Sequence, residues 1–306
     1  MQQIQYSSGD MVADRRAGHA AALAAERAFS EAAEVMEQAL ELVPQWVAGW
    51  SLLGGYREAA GDVAGAVKAW LELLRLDVAG VFGARLKLSA HGAIDGVGAE
   101  QAYVEALFDD YAPRFEQSLV DKLGYRVPEL MKELVAEQLR RRGMTRCGRA
   151  IDLGCGTGLV GVQLRPLVEW LEGVDLSAKM VAQAGRKQIY DRLERGELVA
   201  YLDGLAEQAD LIVAGDVFNY VGALDAPLAA VRRALADSGT AVFSLEVHEG
   251  DEAVRLDRSL RFKHGIRHVV GLCEELGLVP VTVEATVLRT DRGTPVDGAL
   301  VVVEAC

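Results

Sequence analysis

The stretch "AIDLGCGTGLVG", residues 150–161, ends an apolar run in an acid and then sets glycines at 154, 156 and 158. A short apolar run bounded by glycine reads as a buried strand, and glycine lets a chain turn sharply or approach a ligand with no Cβ in the way. From Ala150 onward, strand and helix signals alternate. The patterns predict strands over 149–154, 171–176, 197–202, 209–215 and 239–247, with helices over 157–168, 178–194, 224–237 and 266–276. Two final strands, "LVPVTVEATVLR" and "GALVVVEAC", are joined by "TDRGTPVD". This alternation predicts a parallel sheet with helices on both faces, and the terminal hairpin predicts an antiparallel edge. The glycine loop follows strand one and opens a helix, at the crevice where such sheets bind ligands.

The loop narrows the ligand. A phosphate-cradling loop needs G-x-x-x-x-G-K-[ST], and no lysine stands here. A dinucleotide fingerprint needs G-x-G-x-x-G, but the third glycine comes one residue early, at 158, and Leu159 holds the reserved position. A dinucleotide site and a tight turn without ligand stay open as minor readings. Asp152 ends strand one, and Asp175 ends strand two, 21 residues after Gly154. An acid at that second position accepts ribose hydroxyls in nucleotide-binding sheets.

Upstream, "FSEAAEVMEQALELVP" (29–44) aligns with "VAGAVKAWLELLRLDV" (63–78). Phe29 and Val63, Ala32 and Ala66, Met36 and Trp70, and Leu40 and Leu74 each stand 34 positions apart. That period resembles the tetratricopeptide (TPR) repeat. Trp50, Leu53, Gly54, Ala66 and Trp70 match the second copy, whereas Arg16 and His19 stand where the first copy calls for Trp and Leu. Two copies are fewer than such arrays need, so 81–90 is expected to cap them. The segment 99–143 reads as amphipathic helices, with Tyr103, Leu107, Tyr111, Phe115 and Leu119 at helical spacing and Pro128 opening a new helix. The expected division is therefore 1–95 helical repeats, 96–143 helical linker or lid, and 144–306 the α/β domain.

Composition excludes several classes. The 306 residues carry 45 acids against 32 lysines and arginines, a formal charge of −13, which repels nucleic-acid backbones. The basic run "RRRGMTRCGR" (140–149) reads as cations at a helix C-terminus. Cys147, Cys155, Cys273 and Cys306 are scattered without a C-x-x-C pair, so neither a zinc site nor a disulfide framework is expected. No N-terminal secretion signal and no apolar run of spanning length is seen, and a cytoplasmic protein is expected.

"AIDLGCGTG" resembles motif I, D-x-G-x-G-x-G, of class I S-adenosylmethionine-dependent methyltransferases. With the repeats and the linker "LFDDYAPRFEQSLVDKLGYRVPEL", the whole chain resembles bacterial methyltransferases bearing an N-terminal TPR segment. The resemblance implies a Rossmann-like α/β fold, a seven-stranded, doubly wound and mostly parallel sheet preceded by an all-α TPR-like domain. It implies S-adenosyl-L-methionine as cofactor and no metal. Cofactor contacts are expected from Tyr111, Asp152, Gly154, Cys155, Gly156, Gly158, Asp175, Leu176, Asp203 and Asp216. Of these, Asp175 would take the ribose, Asp203 the adenine and Asp216 the sulfonium pocket. A cofactor with a sulfonium and an amine but no phosphate suits glycines flanked by acids, with main-chain N–H groups approaching its carboxylate.

Methyl transfer needs alignment of donor and acceptor, and a base when the acceptor carries a proton. His248, His264 and Glu246 are the candidates at the ends of the later strands. "DVFNYVG" (216–222) lacks the [ND]-P-P-[YF] sequence seen where adenine or glutamine is methylated. A small-molecule acceptor, at oxygen or nitrogen, is therefore expected, with the repeats serving a protein partner or self-association and with no nucleic-acid or membrane partner. The rival expectation is a TPR adaptor that keeps the binding fold without catalysis.

Overall fold

The structure, a computed structural model, describes residues 6–96, 98, 100–116, 124–291 and 293–306. The chain divides into two compact units, Met1–Tyr103 and Val104–Cys306. The division falls inside the expected 96–143 linker, most of which goes with the second unit. Leu119 lies outside the described residues.

The first unit is helical: α1 (Met11–Ala25), α2 (Phe29–Leu42), α3 (Val47–Ala59), α4 (Val63–Leu76) and α5 (Ala84–Ala90). Asp10 and Asp62 start α1 and α4 by accepting hydrogen bonds from main-chain N–H groups of the first turn. α2 and α4 are each 14 residues long and begin 34 residues apart. Small residues set the packing. Ala32, Ala39, Ala66 and Ala69 are fully buried, and Gly49 and Gly54 of α3 lie where a Cβ would overlap the indoles of Trp46 and Trp70. α5 occupies the stretch expected to cap the pairs.

α6 (Gln101–Tyr111) runs through the division, and in the second unit α7 (Val127–Arg141) precedes β1 (Cys147–Leu153), α8 (Leu159–Leu164), β2 (Val168–Asp175), α9 (Ala178–Arg186) and β3 (Arg192–Arg195). There follow α10 (Leu198–Asp203), β4 (Ala209–Ala214), α11 (Asp225–Ala234), β5 (Leu235–Glu246), β6 (Val254–Leu256), β7 (Phe262–His264), α12 (Ile266–Glu275), β8 (Leu278–Asp291) and β9 (Thr294–Ala305). The seven-stranded sheet runs β3-β2-β1-β4-β5-β9-β8, and β6 and β7 form a separate hairpin. β1 to β5 are parallel, whereas β9 is antiparallel to both neighbours.

Alternation along the strands sorts residues to two faces. Ala150, Leu211, Val213, Val242 and Val302 pack with Met131 and Val135 of α7 and Val160 and Leu164 of α8. Their neighbours Ile151, Ile212, Phe243 and Val301 pack with Leu228 and Val231 of α11 and Val269 and Cys273 of α12. Burial on both faces is what a near-continuous apolar strand such as "DLIVA" requires.

Three local expectations need correcting. Strand three is Arg192–Arg195, and "ELVAYL" (197–202) lies almost wholly in α10. The side chain of Glu197 accepts from the N–H of Ala200 at 2.8 Å and starts that helix. "RLER" carries no apolar alternation because it is a four-residue edge strand, where charged side chains guard an open ladder. The helix expected over 178–194 accordingly ends at Arg186. The stretch 290–297 is mostly strand rather than loop, since the β8–β9 ladder runs on to Asp291 and Thr294.

Candidate functional site

The glycine loop turns between β1 and α8 with Gly154, Gly156 and Gly158 all in the left-handed region, at φ of +59°, +54° and +89°. Only glycine adopts that region without cost. A Cβ at Gly154 would come within 2.5 Å of the Val217 side chain, whereas one at Gly156 would meet nothing nearer than Phe115 at 3.8 Å. A Cβ at Gly156 would thus stand in ordinary van der Waals contact with Phe115 and without a clash.

The loop's own amides are largely engaged. Cys155 N–H donates to the carbonyl of Val174 at 3.0 Å, Gly158 N–H to that of Cys155 at 2.8 Å, and Gly156 N–H to Asp175 Oδ2 at 2.9 Å. The glycines thus supply clearance more than donors, a revision of the expected main-chain contact to a ligand carboxylate. Cys155 is buried, and burial drives its thiol pKa well above the ordinary value.

Two acids flank the loop. Asp175, at the end of β2, accepts the Gly156 N–H and also the Ser177 N–H at 2.8 Å. Burial pushes its pKa up to about 6 against the pull of those two bonds, and Asp109 pushes the same way as burial. Asp152 is 1% exposed, and its Oδ2 accepts the Tyr190 hydroxyl at 2.6 Å. Burial raises its pKa to about 7, the Tyr190 bond opposes that rise, and the charge of Asp175 adds to it. A phosphate would meet repulsion here, while a cation would relieve it.

α6 and the turn after it close over the same loop. Asp109 accepts from Ser177 Oγ at 2.6 Å and from Lys179 N–H at 3.3 Å, and Gln183 Nε2 donates to the Ala112 carbonyl at 2.6 Å. Tyr111 ends α6 and stacks edge-on with Phe115 at 5.4 Å. Leu176 is half-buried, its carbonyl accepting from Arg195 Nε at 3.1 Å.

Asp203 does not join this group. It closes α10 and pairs with Arg233 at 2.6 Å, near the end of α11 that leads into the start of β5, at the opposite end of the sheet. The misplacement follows from the misread strand: once β3 ends at Arg195, the acid just beyond its carboxyl end is Glu197.

A second cluster sits at the ends of β4 and β5. Asp216 follows β4 with φ +60°, unusual for a residue bearing a Cβ, and its N–H donates to Ser244 Oγ at 2.7 Å. Its Oδ1 accepts from Arg289 at 2.9 Å and Asn219 Nδ2 at 3.2 Å. Glu246, 3% exposed, also contacts Arg289, lies 3.3 Å from Asn219 Nδ2 and 3.5 Å from Arg261. Burial lifts the pKa of Glu246 to about 7, with Arg261 pulling it down and Asp216 pushing it further up. The Arg261 guanidinium lies 5.5 Å from the Tyr220 ring centroid, and Tyr220 in turn packs edge-on against Phe108 of α6 at 4.9 Å.

The two histidines stand apart from that cluster. His264 is 1% exposed, and its Nε2 faces the carbonyls of Val221 at 3.1 Å and Gly222 at 3.0 Å. Carbonyls only accept, so that nitrogen carries the proton, and burial keeps the ring neutral by lowering its pKa. His264 fastens the segment after β4. His248 accepts the Gly250 N–H at Nδ1 and lines a cleft with His268 and Glu252, distinct from the one lined by Glu246 and Arg289.

Asp109, Tyr190, Asn219, Arg261 and Arg289 thus reach the site without a motif to announce them, and Glu197 follows β3 where Asp203 was expected. Only Glu197 carries a local signal, as a polar residue directly before a helix. Among the described residues, no group of three or more His, Cys, Asp or Glu side chains is arranged to hold a metal ion, and no helix is long and apolar enough to cross a membrane.

Sheet order, loop and flanking helices are those of a Rossmann-like methyltransferase fold. Residues 151–241 match the model of a methyltransferase domain family. The human methyltransferase-like protein 27 is 37% identical over 87 residues, 28% of this chain and 34% of that protein. A TPR repeat-containing protein of Pseudomonas aeruginosa is 54% identical over 39 residues, 13% of this chain and 37% of that protein. The chain spans about a third of the length of these curated relatives. Among solved structures, magnesium protoporphyrin IX methyltransferase from Synechocystis with bound SAH superposes with a TM-score of 0.53 at 15% identity, covering 67% of this chain and 100% of that one. Its SAM-bound form gives 0.52 at 14% identity, covering 70% and 100%. At these identities the likeness is one of fold.

Proposed function

We propose that the protein is an S-adenosylmethionine-dependent methyltransferase acting on a small-molecule oxygen or nitrogen acceptor. The observation that carries this reading is the pair of acids, Asp152 buried and Asp175 half-buried, against a glycine loop with no side chain at Gly156. That pair of acids suits a cationic nucleoside and opposes a phosphate.

When bound, S-adenosylmethionine supplies a methyl group made electrophilic by the sulfonium. Asp175 accepts the ribose hydroxyls, and Asp152 offsets the charge of the amino group. Glu197 replaces Asp203 as the acid beside the adenine. Gly154, Gly156 and Gly158 keep the backbone clear, with Cys155, Leu176 and Tyr111 completing the walls. Asp216 faces the acceptor side, where Glu246 takes the acceptor's proton, a role suited to a carboxyl whose pKa lies near 7. Arg289 orients both carboxylates. His264 holds the wall, and His248 takes no proton from the acceptor. The first unit is a TPR-like scaffold for a protein partner or a second copy, a reading supported by the 34-residue spacing of α2 and α4 and by the short match to the Pseudomonas protein.

Titration calorimetry with S-adenosylmethionine, S-adenosylhomocysteine and NAD tests the cofactor. Micromolar binding of the first two without heat from NAD is expected. Heat from NAD alone, or from none of the three, overturns the assignment. Binding without turnover across an acceptor panel of phenols, carboxylic acids and amines would favour the adaptor reading instead.

A further inference from the structure

We propose that Tyr190 is a positioning residue of this site: its phenol, seated in a slot opened by three glycines, holds the Asp152 carboxyl fixed and stabilises its ionised form. The use of that charge for the cofactor's amino group rests on the function proposed above; the Tyr190–Asp152 coupling does not.

The slot is built from separate elements. Gly158 caps α8, Gly161 lies within it, and Gly173 lies in β2. A Cβ would stand 3.1 Å from the Tyr190 ring at Gly158 and 2.9 Å at Gly173, and would overlap the phenol oxygen at Gly161. The ring is thereby steered so that its hydroxyl ends 2.6 Å from Asp152 Oδ2. A slot of this kind could serve packing alone, but a packing role is met equally by phenylalanine.

The surroundings of Asp152 show why the hydroxyl matters. From β2 comes the charge of Asp175, from the loop the Cys155 thiol, from the segment before α7 the Tyr125 phenol, and from α8 the N–H of Gly161. Burial and Asp175 favour the protonated acid, while the Tyr190 hydroxyl and the Gly161 N–H favour the carboxylate. A hydroxyl donating to a carboxylate stabilises its charged form. Without it, Asp152 keeps its proton at neutral pH and presents an O–H where an anion is wanted.

The test is Tyr190→Phe in the full chain, read by carboxyl-carbon NMR titration of labelled aspartate, with Asp152→Asn assigning the resonance. In ligand-free protein the Asp152 midpoint is expected to move up by about 1 pH unit, a stabilisation of the ionised form worth roughly tenfold in equilibrium. Melting should stay within a few degrees of wild type, since the ring is retained. Affinity for S-adenosylmethionine should fall by about 5-fold at pH 7, and the loss should shrink as pH rises past the new midpoint. An unchanged midpoint overturns the proposal, as does an affinity loss equal at every pH. A Tyr190-dependent midpoint in a wild type that gives no heat with S-adenosylmethionine upholds the coupling and sinks the cofactor reading instead.

Discussion

Asp175 accepts two main-chain N–H groups and stands beside bare glycine backbone, so its carboxylate has lone pairs left for a diol. Asp175→Ala is expected to weaken S-adenosylmethionine binding by about 2–4 kcal/mol, since each hydrogen bond to a charged group contributes about 1.5–3 kcal/mol and water recovers part. Calorimetry checks it, and an unchanged Kd would remove the ribose assignment. Arg289 presents the opposite case, a cation 1% exposed whose partners Asp216 and Glu246 are its reason for being there. Arg289→Met removes the cation that touches both acids and leaves only Arg261, 3.5 Å from Glu246, beside them. Breaking such a cluster from one side costs about 3–5 kcal/mol, which chemical denaturation would register as a lower midpoint at pH 7. If the variant is instead as stable as wild type, Asp216 and Glu246 are not held as charges.

The helices and loops add their own constraints. α3 approaches α4 closely because Gly54 leaves room for the Trp70 indole, so Gly54→Ala overpacks that contact and should cost about 1–3 kcal/mol in thermal or denaturant unfolding. Gly156 differs, because a Cβ there would only touch Phe115 at 3.8 Å and the objection to it is conformational. Gly156→Val is expected to lose about 1–2 kcal/mol of stability from the left-handed backbone and, separately, to abolish cofactor binding by filling the approach. A folded variant that binds normally would place the ligand elsewhere. Most of these elements were legible in the chain: β1, β2, β4, β5 and the last hairpin follow from apolar runs bounded by turn residues. β3 was not, since an edge strand of "RLER" has no apolar face to betray it, and neither was the β6–β7 hairpin, whose strands are three residues each.

Among the described acids, burial raises the pKa of Asp175 to about 6, of Asp152 and Glu246 to about 7, and of Asp216 and Glu100 above the ordinary carboxylate value. An acid that binds its proton more tightly when folded favours the folded state at low pH and loses that advantage as pH rises from about 4, its unfolded value, toward 7. Glu172 and Asp191, whose pKa values are lowered by hydrogen bonds and ion pairs, act oppositely and lose their contribution below about pH 4. Ligand-free stability should therefore peak in the mildly acidic range and decline toward pH 7. S-adenosylmethionine should reverse the decline by pairing with the ionised acids, visible as proton release on binding near pH 6–7 in buffers of different ionisation enthalpy. A flat stability profile, or binding without proton release, would count against that electrostatic picture.

Local patterning was enough to establish the alternating sheet, the loop between β1 and α8, Asp152 and Asp175 at its sides, and the 34-residue helical period. These depend on neighbours in the chain, through strand alternation, helical spacing and glycine's freedom at positive φ. Folding alone moved Asp203 to the far end of the sheet, joined Arg289 to Asp216 across 73 residues and laid Tyr190 against Asp152 across 38. Such pairings arise from strand order and packing between distant segments, and nothing in the spacing along the chain records which buried charge will meet which.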